Sequence, residues 1–233
     1  MRENSWHLRT PTTEHFQWYR NLIDLNELTL EWQEELPHPL PSSFIPPGLS
    51  PEVSENRWML DSLSQTPLES FLDDTSPQDV LYRLERMIWA MQASIVQQIE
   101  IQMTPKNGTK IDDAMNQRAW KLGKICAKTR WENLVVKKSH DLRDILFALH
   151  DSPFAGYPHR DGFLIRRALA QEVQIELKSC PHHIPYPEIK TSADRLCRLH
   201  SYWITGFAHT LNPNIHIEHI IQSPRCVQRW FFK

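Results

Sequence analysis

QEVQIELK, residues 171–178, is the stretch at which the periodicity of this 233-residue chain changes. Apolar and polar residues alternate there, which is the pattern of a strand with one buried face. Residues 215–221 alternate in the same way, and residues 226–232 continue as a further strand after a short turn. Between these strands, residues 192–210 carry an apolar stripe at helical spacing. The pattern predicts an antiparallel sheet with one covering helix.

Upstream of the first strand, the apolar residues recur at helical spacing. Ser76, Pro77 and Asp79 form a helix start, because serine caps, proline fits the first turn and an acidic side chain favours the positive helix end. We predict helices over residues 13–35, 77–102 and 141–150, and another that opens at residue 112 or 113. Helices first and sheet last predict the α+β class, with N-terminal helices packed on a C-terminal antiparallel sheet.

A proline-rich stretch divides the chain. Six prolines lie between residues 36 and 51. Because proline fixes φ and lacks an N–H donor, this stretch predicts an extended connector. The predicted organisation is an N-terminal helix with its connector over residues 1–75, followed by a helical plus α+β domain over residues 76–233 that forms one compact unit.

Composition excludes several classes of function. The 26 Lys and Arg residues are balanced by 28 Asp and Glu residues, so no basic excess exists to neutralise phosphates, and a general nucleic-acid binder is excluded. Neither glycine-rich nucleotide-binding pattern is present among the six glycines. The sequence has no secretory signal and no apolar run of membrane-spanning length, which predicts a cytoplasmic protein without a membrane partner.

Cysteine and histidine cluster in the second half of the chain. Nine of the twelve histidines lie between residues 140 and 219, and three of the four cysteines lie at or after residue 180. Strand ends and one helix face would bring together Cys180, Cys197, Glu218 and Cys226, which are ligand types that suit zinc. The alternative is that Cys197 and Cys226 are small buried apolar residues, as cysteines outside disulfides commonly are. Cys126, alone on a helix, is predicted to be a core residue.

This part of the sequence resembles a known family. A Cys-Pro after a strand (Cys180), a Cys early in a helix (Cys197), an Asn-Pro after it, a Glu in the next strand (Glu218) and a Cys past the hairpin turn (Cys226) are shared features. They resemble the C-terminal region of the 2-amino-thiazoline-4-carboxylic acid hydrolase family, over about residues 110–232. That family is similar to the 4-vinyl-reductase-like small-molecule-binding domains, and this likeness implies a zinc held by Cys197, Glu218 and Cys226, with Cys180 as a fourth ligand.

The resemblance implies a hydrolase that acts on a C–N bond in a cyclic amidine of a small sulfur- or nitrogen-containing metabolite. A metal with an open position would activate water for this reaction. Alternatively, the Cys180 thiolate would attack the amidine carbon, with His182 and His183 transferring protons. Arg166 and Arg167 are candidates to bind a substrate carboxylate, although a solvated surface explains the same pair. On the covering helix, the candidates for substrate contact are His200 and Trp203, although His200 alone is more typical of a hydrogen-bonded core histidine.

Two other functions stay open. The first is a non-catalytic small-molecule-binding or sensor protein with a structural zinc, since nine Trp and nine Phe residues can line an apolar pocket. The second is a tetrapyrrole- or haem-binding protein with histidine as the axial ligand. Trp89 and Trp120 on the long helices suggest a homodimer, although burial in the core explains them equally well.

Overall fold

The fold was analysed in a computed structural model. It describes residues 10–36, 38, 40, 44–46, 58–72, 75–102, 108–150, 152, 163–177, 193–222 and 225–232. The helices are α1 (Thr13–Gln33), α2 (Trp58–Asp61), α3 (Pro77–Gln102), α4 (Gly108–Arg130), α5 (Glu132–Lys137), α6 (Leu142–His150) and α7 (Ala193–Leu211). The strands are β1 (Phe163–Ala168), β2 (Glu172–Leu177), β3 (Ile215–Gln222) and β4 (Arg225–Phe232). The fold is α+β, with N-terminal helices and a C-terminal sheet, as predicted.

The sheet is antiparallel throughout, with strand order β1-β2-β4-β3. The three predicted strands are present, and β1 is the strand that the sequence analysis missed. Its residues FLIRRA do not alternate, and its register against β2 shifts between Ile165 and Arg167. A bulge of this kind inserts an extra residue, so the side chains on either side of it no longer alternate between the two faces of the sheet. The alternation that identified β2 is therefore absent from β1.

Helix α7 covers one face of the sheet, which we call the inner face. Trp203 and Phe207 of α7 share a core cluster with Val173 of β2 and Trp230 of β4, and all four are buried. The opposite, outer face carries charged side chains, among them Arg229 of β4. The sheet is therefore buried on one side, as its alternating sequence predicts.

Helices α4 and α7 pack with their backbones in contact. A Cβ atom on Gly123 would overlap the carbonyl oxygen of Trp203, and one on Gly206 would overlap that of Trp120. Arg195, near the start of α7, forms an ion pair with Asp112, near the start of α4. The ion pair lies near the start of both helices and the glycine contacts lie further along both, so the two helices run in the same direction.

Helix α1 packs on both α3 and α4. Its apolar face, which includes Leu22 and Leu25, lies in the core. Ion pairs fasten its other side to α4, since Arg130 meets Asp24 and Arg118 meets Glu31 and Glu35. Of the proline-rich connector, residues 38, 40 and 44–46 are described, and the side chains at 40 and 44 pack against the core.

The start of α3 agrees with the prediction, whereas the start of α4 differs from it. The Ser76 hydroxyl accepts a hydrogen bond from the Asp79 backbone N–H at 3.2 Å, as a helix cap does. Helix α4 begins at Gly108, four residues before the predicted start. None of the described helices combines the length and apolar character needed to cross a membrane.

Candidate functional site

Two cysteines from different elements meet beneath the inner face of the sheet. Cys197 lies on the buried side of α7, and Cys226 is the second residue of β4. Their sulfur atoms are 3.4 Å apart, and each residue is only 2% exposed. Both are present as thiols. We call Cys197 and Cys226 the thiol pair.

Glu218 does not join the thiol pair. It is the register partner of Arg229, three residues beyond Cys226 on β4, so Glu218 and Cys226 lie on opposite faces of the sheet. Its carboxylate is half exposed on the outer face, 3.7 Å from the Arg229 guanidinium. The β3 residues on the same face as Cys226 are the odd-numbered ones, and His219, the register partner of Gln228, is one of them.

The other predicted ligand and the predicted catalytic residues, Cys180, His182 and His183, lie outside the described residues. On both sides of this segment, the nearest described residues lie close to the thiol pair. Leu177, the last residue of β2, is the register partner of Cys226, and α7 begins only four residues before Cys197. Within the described ranges, no three His, Cys, Asp or Glu side chains are grouped so as to hold a metal ion.

Arg166 and Arg167 lie away from the thiol pair. The Arg166 Nε donates to the Glu176 carboxylate at 2.7 Å, and Arg167 forms an ion pair with Glu172 at 2.8 Å. Glu172 also accepts from Arg229, so the ion pairs cross from β1 to β4 on the outer face. About half of each arginine side chain is exposed. The structure therefore places this pair on the face of the sheet opposite to the thiol pair.

A second buried polar cluster lies one helical turn along α7 from Cys197. His200 is 2% exposed and stacks on Trp32 of α1, with ring centroids 5.4 Å apart. Trp89 of α3 meets it edge-on, and the Gln92 amide oxygen lies 2.9 Å from its Nε2. We call His200, Trp32, Trp89, Gln92 and Glu85 the histidine cluster.

The hydrogen bonds of Gln92 determine which nitrogen of His200 carries a hydrogen. The Gln92 Nε2 donates to the Thr29 hydroxyl at 2.9 Å and to the Leu25 carbonyl at 3.2 Å. Its amide oxygen therefore faces His200 and can only accept. His200 Nε2 must then be the donor of this hydrogen bond.

Glu85 gives the cluster a buried carboxyl group. It is 1% exposed and accepts a hydrogen bond from the indole N–H of Trp89 at 3.3 Å. Glu85, Trp89 and Gln92 share one face of α3, at spacings of four and three residues. The sequence analysis missed Glu85 and Gln92. The available signal was their position, since both are polar residues within the apolar stripe of a long helix.

The remaining sequence-identified residues belong to the core. Trp203 is buried and stacks on Phe207 at 5.4 Å. Cys126 is a core residue, as predicted, and its thiol lies 3.4 Å from the Asp24 carboxylate. Burial, and then the charge of Asp24, raises the pKa of the Cys126 thiol well above its ordinary value. Cys126 is therefore a poor nucleophile.

The aromatic residues considered for self-association are differently placed. Trp89 is buried in the histidine cluster and offers no surface to a second copy of the chain. Trp120 is half buried, and the Lys124 ammonium lies 4.3 Å from the centre of its ring. The homodimer stays a prediction.

Comparison of the chain with protein-family models, with curated proteins and with solved structures gave no match.

Proposed function

We propose that the protein is a non-catalytic small-molecule-binding protein in which Cys197 and Cys226 are two thiolate ligands of a structural zinc ion. The observation that carries the zinc proposal is the 3.4 Å contact between the two buried sulfur atoms. The small-molecule part rests on the resemblance to the 4-vinyl-reductase-like domains. We place the protein in the reducing cytoplasm, where thiols persist.

The spacing of the sulfur atoms suits a shared metal. Two thiolates on one tetrahedral zinc, each about 2.3 Å from the ion, are about 3.8 Å apart. The thiol pair is close to this separation, and its two members come from a helix and a strand, so a zinc ion would tie α7 to β4.

We propose that the segment between β2 and α7 supplies the other ligands. Cys180, His182 and His183 have side chains of the types that zinc prefers. Support comes from the described ends of this segment, because Leu177 pairs with Cys226 and α7 starts one turn before Cys197. Glu218, on the outer face, is left out of the proposed ligand set.

Burial favours a structural over a catalytic zinc. A catalytic zinc keeps one position open to water or substrate, whereas a structural zinc is closed by four protein ligands. Each member of the thiol pair is 98% covered. Amidine hydrolysis, which the family resemblance implies, stays a prediction, because its catalytic residues Cys180, His182 and His183 lie outside the described residues.

The test is metal content. The full chain, loaded with zinc and desalted, should retain about one zinc per chain, because structural zinc sites bind tightly at neutral pH. Cys197→Ser and Cys226→Ser should each lose the metal, and Cys126→Ser, which alters a core cysteine on α4, should keep it. Cobalt in place of zinc should give a thiolate charge-transfer absorption in the wild type and in Cys126→Ser. Chains without bound metal, or serine variants that bind it as well as the wild type, would refute the proposal.

A further inference from the structure

We infer that the thiol pair is also a redox modification site, at which a hydroperoxide converts Cys197 and Cys226 into an intramolecular disulfide that links α7 to β4. The bond itself does not depend on zinc. Release of zinc on oxidation is the part of the inference that rests on the proposed function.

The sulfur atoms are already positioned for the reaction. Bond formation is favoured when the reacting atoms are held at about 3–3.5 Å, and the two sulfurs are 3.4 Å apart. Cys197 lies in the first turns of α7, and Cys226 is directly beyond the β3–β4 turn. Each sulfur is therefore near the end of its element, where small adjustments of the backbone disturb the fewest contacts.

The chemistry balances with hydrogen peroxide as the oxidant. One thiol releases its proton, its thiolate attacks a peroxide oxygen and the O–O bond breaks. The hydroxide that leaves takes up this proton, so a sulfenic acid and a water are formed. The second thiolate then attacks the sulfenic sulfur, the S–O bond breaks, and hydroxide leaves and takes up a proton to form a second water. Two thiols lose two electrons and two protons in total, and the peroxide is reduced to two waters.

The burial of the thiol pair determines which oxidants can reach its sulfur atoms. Each member of the thiol pair is 2% exposed, so a small peroxide reaches the sulfurs through a slight local opening more readily than a bulky peptide disulfide does. Hydrogen peroxide should therefore form the bond, and glutathione disulfide should react far more slowly.

Cys126 provides an internal control in the same chain. It lies on α4 beside Asp24 of α1, and its hydrogen bond to that carboxylate holds the thiol in its protonated form. Cys126 contacts neither Cys197 nor Cys226, which contact each other, so it has no second thiol among the described residues with which to form a disulfide. It should stay reduced while the thiol pair is oxidised.

Zinc and the disulfide exclude each other. A zinc–thiolate site needs both sulfurs as separate anionic ligands, and the disulfide removes both negative charges at once. Oxidation of the zinc-loaded protein should therefore release the metal in step with loss of the two thiols. Reduction with a dithiol should restore both the thiols and the capacity to bind zinc.

The experiment uses the full chain in two arms, one stripped of metal with a chelator and one loaded with zinc. Each is treated with hydrogen peroxide, digested without reduction and analysed by mass spectrometry. The expected product is a peptide pair joined through Cys197 and Cys226, with Cys126 reduced. The joined pair should also form in Cys126→Ser and Cys180→Ser.

The outcomes separate the two proposals. A disulfide in the stripped arm without any zinc binding in the other would sustain the redox site and defeat the zinc site. Zinc binding without a Cys197–Cys226 disulfide in either arm would do the reverse. A disulfide from Cys180 to either member of the thiol pair, or oxidation of single thiols to sulfinic acid, would overturn the redox inference.

Discussion

His200 occupies the point at which α1, α3 and α7 meet, and its surroundings are unusually polar for a helical core. Gln92 accepts from its Nε2, Trp32 covers one face of its ring, and Trp89 approaches the ring edge-on. Polar groups in such a position are expensive unless their hydrogen bonds are made, so a single change at Gln92 should have a large effect.

Gln92→Leu should lower the free energy of unfolding by about 1–3 kcal/mol, because the buried His200 N–H loses this acceptor while apolar volume is kept. Denaturant unfolding measures the loss. Gln117→Leu on the exposed side of α4 is the matched control and should stay within about 0.5 kcal/mol of the wild type. Nitrogen NMR should report a hydrogen on Nε2 of His200 in the wild type. Equal effects of the two substitutions, or an Nε2 without a hydrogen, would contradict the proposed network.

At the residue scale, the sequence predicted the contact between Cys197 and Cys226 but misplaced Glu218. Cys197 and Cys226 were predicted to approach each other, and they do. Glu218 was placed with them because it lies in the right strand, but a strand turns alternate residues to opposite faces, so an error of one position moves a side chain across the sheet. The pairing of Gln222 with Arg225 sets this register and puts the odd-numbered β3 residues on the same face as Cys226. Alternation alone does not show whether Glu218 or His219 shares the face of Cys226, because that depends on the register of the hairpin.

At the element scale, the contact between α4 and α7 sets how closely the helical layer approaches the covering helix. Gly123 and Gly206 face the partner backbones directly. Glycine within a helix costs about 1 kcal/mol relative to alanine, so its presence in two long helices is itself a sign of close packing. The contact also fixes α7 along its length and thereby the positions of Cys197 and His200.

Gly123→Ala should destabilise the protein by about 1–3 kcal/mol or more, although alanine is the better helix former. The new methyl group would meet the Trp203 carbonyl, which is part of a helix and cannot rotate aside as a side chain would. Thermal unfolding compares this variant with Lys121→Ala, a change at an exposed position of the same helix. A rise in stability for Gly123→Ala, as helix propensity alone would give, would show that the two backbones are not in contact.

Periodicity predicted the regular elements and failed at the irregular one. The apolar stripe of α3 and the alternation of β2 gave bounds within one or two residues of those observed. β1 escaped because its bulge breaks the alternation, and the predicted start of α4 at residue 112 or 113 missed the first turn of this helix, which begins at Gly108. Periodicity identifies an element only when the same face is buried along its whole length, and the bulge in β1 breaks this regularity.

At the scale of the whole molecule, the thiol pair lies at the contact between the covering helix α7 and the sheet, with one cysteine on each. α7 is packed against α4 by the glycine contact on one side and against the sheet on the other. A metal ion at Cys197 and Cys226 would therefore add a link between the helical layer and the sheet, and its free energy of binding would appear as stability of the entire fold.

Zinc should consequently raise the melting temperature of the metal-free protein. A ligand that binds only the folded state adds about 2.7 kcal/mol when present at 100 times its dissociation constant. For a chain of this length that corresponds to a shift of about 5–10 °C. Calorimetry of the stripped protein with and without zinc measures it. Cys126→Ser should show the full shift, Cys197→Ser and Cys226→Ser should show little, and magnesium, which prefers oxygen ligands, should have no effect on any of them. An equal response to zinc in Cys197→Ser would place the stabilising metal elsewhere, since that substitution removes one of the two sulfurs that hold α7 to β4 in the proposed site.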